Sequence, residues 1–203
     1  MNIQFDRQKF KDVVHYICAS CDPSNLGAVK LNKVLYYSDM FAFALLGQPV
    51  TGAPYRKRAL GPTCDYVPKA LRELEEDGSI AIRESLYFGY RKKDYISKKP
   101  ANDSRLSGAE RALLSDVIEF VCKNNYAKTI SQFSHNRAWE LVKFGDVIPY
   151  HSVFHMFASE PSEDSMKWAA TEGAAVEAAR SNAGTVERRS YGAFRARVLQ
   201  ASD

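Results

Sequence analysis

Lys30-Leu31-Asn32-Lys33-Val34-Leu35-Tyr36-Tyr37-Ser38-Asp39-Met40-Phe41-Ala42-Phe43-Ala44-Leu45-Leu46-Gly47-Gln48-Pro49-Val50 is the stretch on which the fold turns. Leu31, Val34, Leu35, Ser38, Phe41, Ala42 and Leu45 recur at three- and four-residue spacing, which predicts a helix over about 27–46 with one apolar stripe. Gly47 ends it in the usual position for a terminating glycine, and Pro49 follows. Lys30, Lys33 and Tyr37 fall together on a second face, at i, i+3 and i+7. That face is read as pointing outward, with two ammonium groups and a phenol offered to an acidic partner or a phosphate. The plain alternative for such lysines is a solvated surface.

Working outward, Asp6 caps a helix over about 8–20, whose apolar positions are Phe10, Val13, Val14 and Ile17. Residues 55–60 have the composition of a short strand. Gly61-Pro62 then turns the chain into a third helix, capped by Thr63 or, better, by Asp65, which places Pro68 in its first turn. Ile80 to Ile96 reads as a hairpin. Ser107 and Glu110 form a capping box that opens a helix to about Lys123. Thr129-Ile130-Ser131-Gln132 repeats that logic and opens a helix running through Trp139 to about Val142, and a short helix begins at Tyr150. Beyond Pro161 large apolar residues thin out and alanine dominates. Two marginal helices are expected there, over 162–181 and 185–200. The expected fold is mainly α, a helical domain with a small β-hairpin over 1–159, followed by a helical extension over 160–203.

The 203 residues carry a net charge of only +4, which permits contact with nucleic acid but does not demand it. No apolar run reaches the roughly 20 residues that span a bilayer, and the N-terminus has no apolar signal core. A cytoplasmic protein without membrane attachment is expected. Between Arg83 and Arg105 seven basic residues face three acidic ones, with tyrosines interleaved. That hairpin would suit the wing of a winged-helix DNA-binding regulator. Its partner helix, however, carries Asp65, Glu73, Glu75, Glu76 and Asp77 against Lys69 and Arg72, which is costly beside phosphates.

Chemistry-bearing residues are scattered. Cys18-x-x-Cys21 with His15 lacks a second ligand pair, and His151 with His155 lacks a third ligand, so neither is taken as a metal site, and no cofactor is expected. Cys64 lies near a helix start, where a thiolate would be stabilised. His135 is the available base for a hydrolase or transferase built on that thiol. No phosphate-binding loop, nucleophile elbow or zinc-protease motif is present in the sequence. A binding module is therefore preferred to an enzyme.

The stretch from Lys30 to Val50 resembles the opening helix of the Panacea, or SocA-like, antitoxin domain, K-L-x-K-L-L-Y-Y-A, with its small G-x-P turn. Residues 55–65 resemble the strand and Y-G-P-V turn that follow. Here Leu60 replaces the aromatic, and Thr63-Cys64 replaces apolar residues. Ser131, His135 and Trp139 match an S-x-x-x-H-x-x-x-W segment, and Gly145 and Ile148 match its G-x-x-I. The similarity covers roughly residues 8–158. It implies a type II antitoxin that neutralises a cognate protein toxin by direct binding, with one branch of the family similar to adaptors that pass the toxin to an AAA+ protease. Lys30, Lys33, Tyr37, Gly61, Pro62, His135 and Trp139 are the matching positions. The tail is expected to supply much of the toxin-binding surface, through Tyr191, Phe194, Val198 and Leu199 with Arg195 and its neighbouring arginines around them.

Overall fold

Asp6 accepts a hydrogen bond from the Lys9 backbone amide and starts α1 (Arg7–Ser20). This helix buries Phe10, Val13, Val14 and Ile17, its apolar repeat. In the computed structural model, which describes residues 3–87, 89–156 and 163–182, α1 packs beside α2 (Ala28–Leu46). Gly47 terminates α2 with φ of 78°, a left-handed conformation that suits glycine. Further helices follow as α3 (Val67–Glu76), α4 (Gly108–Ile118), α5 (Ala127–Phe133) and α6 (Arg137–Glu140), then a 3-10 turn over Tyr150–His155. The described part of the molecule is mainly α with one two-stranded sheet.

That sheet is an antiparallel hairpin of β1 (Ile80–Tyr87) and β2 (Tyr90–Ser97), in register from Ile80 opposite Ser97 to Tyr87 opposite Tyr90. β2 lies on α1 and β1 on α3. Helix α2 sits at the centre, against α1, α4, α5 and the 3-10 turn. A helix surrounded in this way must be buried all round, and the buried positions of α2 run without a break from Lys30 to Met40. The single apolar stripe expected for it is therefore too narrow.

The chain divides into two units, residues 1–158 and 159–203. The described part of the second is α7 (Glu163–Asn182), close to the first of the two tail helices expected. The second, over 185–200, lies outside the described residues, as do Tyr191, Phe194, Arg195, Val198 and Leu199. No helix among the described residues is long and apolar enough to cross a membrane.

Several local expectations are corrected. Residues 55–60 form no strand; Arg56 makes isolated bridges to Thr63 and Val147. Asp65 does not cap α3, because its carboxylate is drawn into ion pairs with Arg56 and Arg58 at 3.2 Å. The cap position is Tyr66, which gives no side-chain hydrogen bond. Helix α4 continues to Lys123 only by widening into a π-helical turn over Glu119–Lys123. The helix expected from Thr129 to Val142 starts earlier, at Ala127, and breaks at Ser134. A new start follows at Asn136, whose side chain accepts from the Trp139 amide.

Candidate functional site

The three motif blocks meet at the turn through Gly61-Pro62. Lys33, midway along α2, is 1% exposed, and its Nζ donates to the Pro62 carbonyl at 2.9 Å. Gly61 has φ of 88°, and a β-carbon there would come within 2.2 Å of Ser134 Oγ and 2.8 Å of Lys33 Nζ. Glycine is required both by the backbone conformation and by this close approach. From α5, Ser131 Oγ donates to the Leu60 carbonyl at 3.1 Å, and Ser134 Oγ donates back to the Ser131 carbonyl at 2.7 Å. The turn is thus held from α2 on one side and α5 on the other.

His135 and Trp139 stack beyond it, with ring centroids 4.2 Å apart. Lys57 lies over the indole at 3.9 Å and donates to the Val142 carbonyl at 2.9 Å. Backbone bonds between Lys57 and Gly145, and from Ile148 to the Tyr55 carbonyl, tie in the last motif block. Burial lowers the Lys33 pKa to about 7. Burial, then the charges of Lys33 and Lys57, lower that of His135, opposed by a hydrogen bond with the Ala59 backbone.

The outward orientation expected for Lys30, Lys33 and Tyr37 is overturned. Lys30 Nζ turns inward to the Cys122 carbonyl at 3.0 Å. Tyr37 is 3% exposed and stacks on Phe41 at 5.5 Å. The lysine rule of a buried stem and a wet head fails here because α2 has elements on every side, and interior carbonyl oxygens take the place of water.

A second buried knot was missed. Asp39 accepts from the Thr51 amide at 2.7 Å, from Thr51 Oγ1 at 2.5 Å, from the Tyr55 hydroxyl at 2.8 Å and from the Tyr150 hydroxyl at 3.2 Å. Its pKa is nevertheless raised, because desolvation outweighs these bonds. An acid on a helix followed by a threonine and two tyrosines is too common a pattern to reveal such a knot in advance.

Burial acts against a thiolate at Cys64 and Cys18, whereas the hydrogen bond from Cys21 lowers the Cys122 pKa. Cys64 is fully buried, and burial raises its pKa to about 11, outweighing the backbone hydrogen bonds at Tyr66 and Val67 by which the helix start lowers it. Its backbone amide donates to Asn32 Oδ1. Burial likewise raises Cys18 to about 12. Cys21 turns to Cys122, Sγ to Sγ 3.6 Å, and His15 turns to Ser97. Among the described residues no three acidic, cysteine or histidine side chains gather as a metal site would need.

What reaches the surface is aromatic. From buried Tyr37 a ladder of rings runs to Phe120 at 6.2 Å and on to Phe133 at 6.4 Å. Phe120 and Phe133 are 40% and 54% exposed, and Tyr126, between them in sequence, is 75% exposed. The π-helical turn carries Phe120 onto this face. Sequence reasoning missed it because the three residues share no period; the available signal was Phe120, which falls off the buried stripe of its helix.

A family model described as "Antitoxin SocA-like, Panacea domain" matches residues 31–140. That span runs from the lysine-bearing part of α2 to the end of α6, and so contains the Gly61-Pro62 turn and the His135–Trp139 stack. No curated protein and no solved structure matches the chain.

Proposed function

The chain belongs to the SocA-like Panacea domain family of antitoxins, and from that premise we propose that it neutralises a cognate protein toxin by direct contact, as the antitoxin of a type II pair. The observation that carries this reading is the exposed, stacked ring pair of Phe120 and Phe133, with exposed Tyr126 between them in sequence. Clustered exposed aromatics mark protein-contact faces, since rigid rings bury a large area at low entropic cost. The motif residues support it from the other side. Lys33, Gly61, Pro62 and Ser134 are engaged with one another, and burial keeps the Cys64 thiol protonated. Both features favour a binding protein over an enzyme built on Cys64 and His135.

The test is co-expression with the protein encoded by the adjoining open reading frame. The full chain is expected to restore growth, and Phe120→Ser with Phe133→Ser to abolish rescue while the chain remains folded. A chain ending at Ser159 asks whether the tail anchors are also needed; full rescue by it removes them from the interface. Failure of the full chain to rescue would sink the antitoxin reading. A proteolytic-adaptor role is a separate arm: it requires the toxin to turn over faster when the chain is present, and only where the AAA+ protease is intact.

A further inference from the structure

Beside the aromatic ladder lies a groove of about 830 Å³, between the start of α2, strand β2 and the segment joining the π-helical turn to α5. Six of its lining residues are cationic, and none is acidic. Two of the six are already engaged: Lys30 with the Cys122 carbonyl, and Lys92 with Asp94 at 2.7 Å. Arg91, Lys93, Lys123 and Lys128 are exposed and make no ion pair among the described residues. Gly27, Ala28, Val29 and Ala127 add small or apolar wall between them. Four exposed cations that make no ion pair, around a concave, partly apolar surface, form a site for a negative group attached to something greasy.

We propose that this groove docks an acidic, apolar-tipped segment of the toxin, and so supplies the charge selectivity of the complex that the aromatic ladder anchors. The inference rests on the antitoxin reading. A protein segment fits better than a duplex for two reasons. The groove has the volume of a few side chains, whereas a duplex needs an extended track. The hairpin that contributes Arg91 and Lys93 also packs on α3, whose Glu73, Glu75 and Glu76 with Asp77 would repel phosphates laid across it. Charge pairing at a rim acts mainly on encounter rate and partner choice, and salt screens it.

The test uses the full chain and the toxin encoded beside it, with binding measured at about 50 and 500 mM NaCl, ionic strengths that bracket strong and weak screening. Lys93→Glu with Lys128→Glu is expected to weaken binding at least about tenfold at low salt, to lose most of that difference at high salt, and to leave the melting temperature unchanged. Equal binding by variant and wild type, with the wild type still neutralising, overturns the groove and leaves the antitoxin reading standing. A wild type that neither binds nor neutralises overturns both. A variant that keeps the toxin but loses a 20-base-pair duplex retained by the wild type overturns the proposal in favour of nucleic acid. Independently, a photo-crosslinking benzoylphenylalanine placed at Tyr126 is expected to join a toxin segment richer in Asp and Glu than in Lys and Arg. A cross-link to a basic segment overturns the proposal.

Discussion

Lys33, in the middle of α2, is 1% exposed and donates a hydrogen bond to a carbonyl oxygen, whereas Lys123 and Lys128, beyond the end of α4, are exposed and make no ion pair among the described residues. All three are lysines on or near helices of one unit. The difference lies in what surrounds them. Lys33 has α5 and the Gly61-Pro62 turn around its head group, so its charge is spent inside the protein. The groove lysines have their head groups exposed. The motif residues therefore build the scaffold.

The sharpest way to break this contrast is Gly61→Ala. Alanine must hold φ near 88° while its β-carbon displaces both Ser134 Oγ and Lys33 Nζ. Backbone strain plus the loss of one or two buried hydrogen bonds predicts a cost of about 3 kcal/mol, visible as a lower urea midpoint at constant slope. A change below about 0.5 kcal/mol, the range of ordinary surface substitutions, would mean that the turn tolerates looser packing and that the motif is not structural.

Lys33→Met sharpens the contrast through pH. The folded lysine loses its proton near pH 7 because it is buried, while in the unfolded chain it keeps it to about 10.5. Between these values the unfolded state binds the extra proton, so stability rises with pH, by up to about 1.4 kcal/mol per unit, and the full penalty is felt below pH 7. Above about pH 9 buried thiols such as Cys18 titrate with the opposite sign, which makes pH 7 to 8.5 the useful window. Across it the wild type should gain about 1.5 kcal/mol relative to Lys33→Met, measured by chemical denaturation at each pH. Parallel curves for the two proteins would show that Lys33 is charged and solvated after all.

How much of this was legible follows the same division. The helix over 28–46, the Asp6 cap, the Ser107–Glu110 box and the hairpin were readable because caps, turns and periodicity are local. The inward turn of Lys30 and Lys33 was not, because it depends on α4, α5 and the 61–62 turn closing over α2. Residues 129–142 were misread as one helix because Ser134 bonds to its own turn and Asn136 caps a new one, a competition that side-chain oxygens offer to helix continuation. The groove draws on three segments far apart in sequence, and no window of the chain contains it.

The smallest expected effect is the one that most directly tests the outer half of the contrast. Lys123→Gln and Lys128→Gln remove charges that meet no acid among the described residues, so folding stability should shift by no more than about 0.5 kcal/mol. The sign is informative as well. Cations gathered around one groove repel one another, so neutralising one should stabilise slightly, more at low salt than at high. Thermal melts of both variants at two ionic strengths would read this. A loss above about 1 kcal/mol would be too large for a solvated charge. It would mean that the groove lysines, like Lys33, hold the fold together, and that uncompensated charge there is not reserved for a partner.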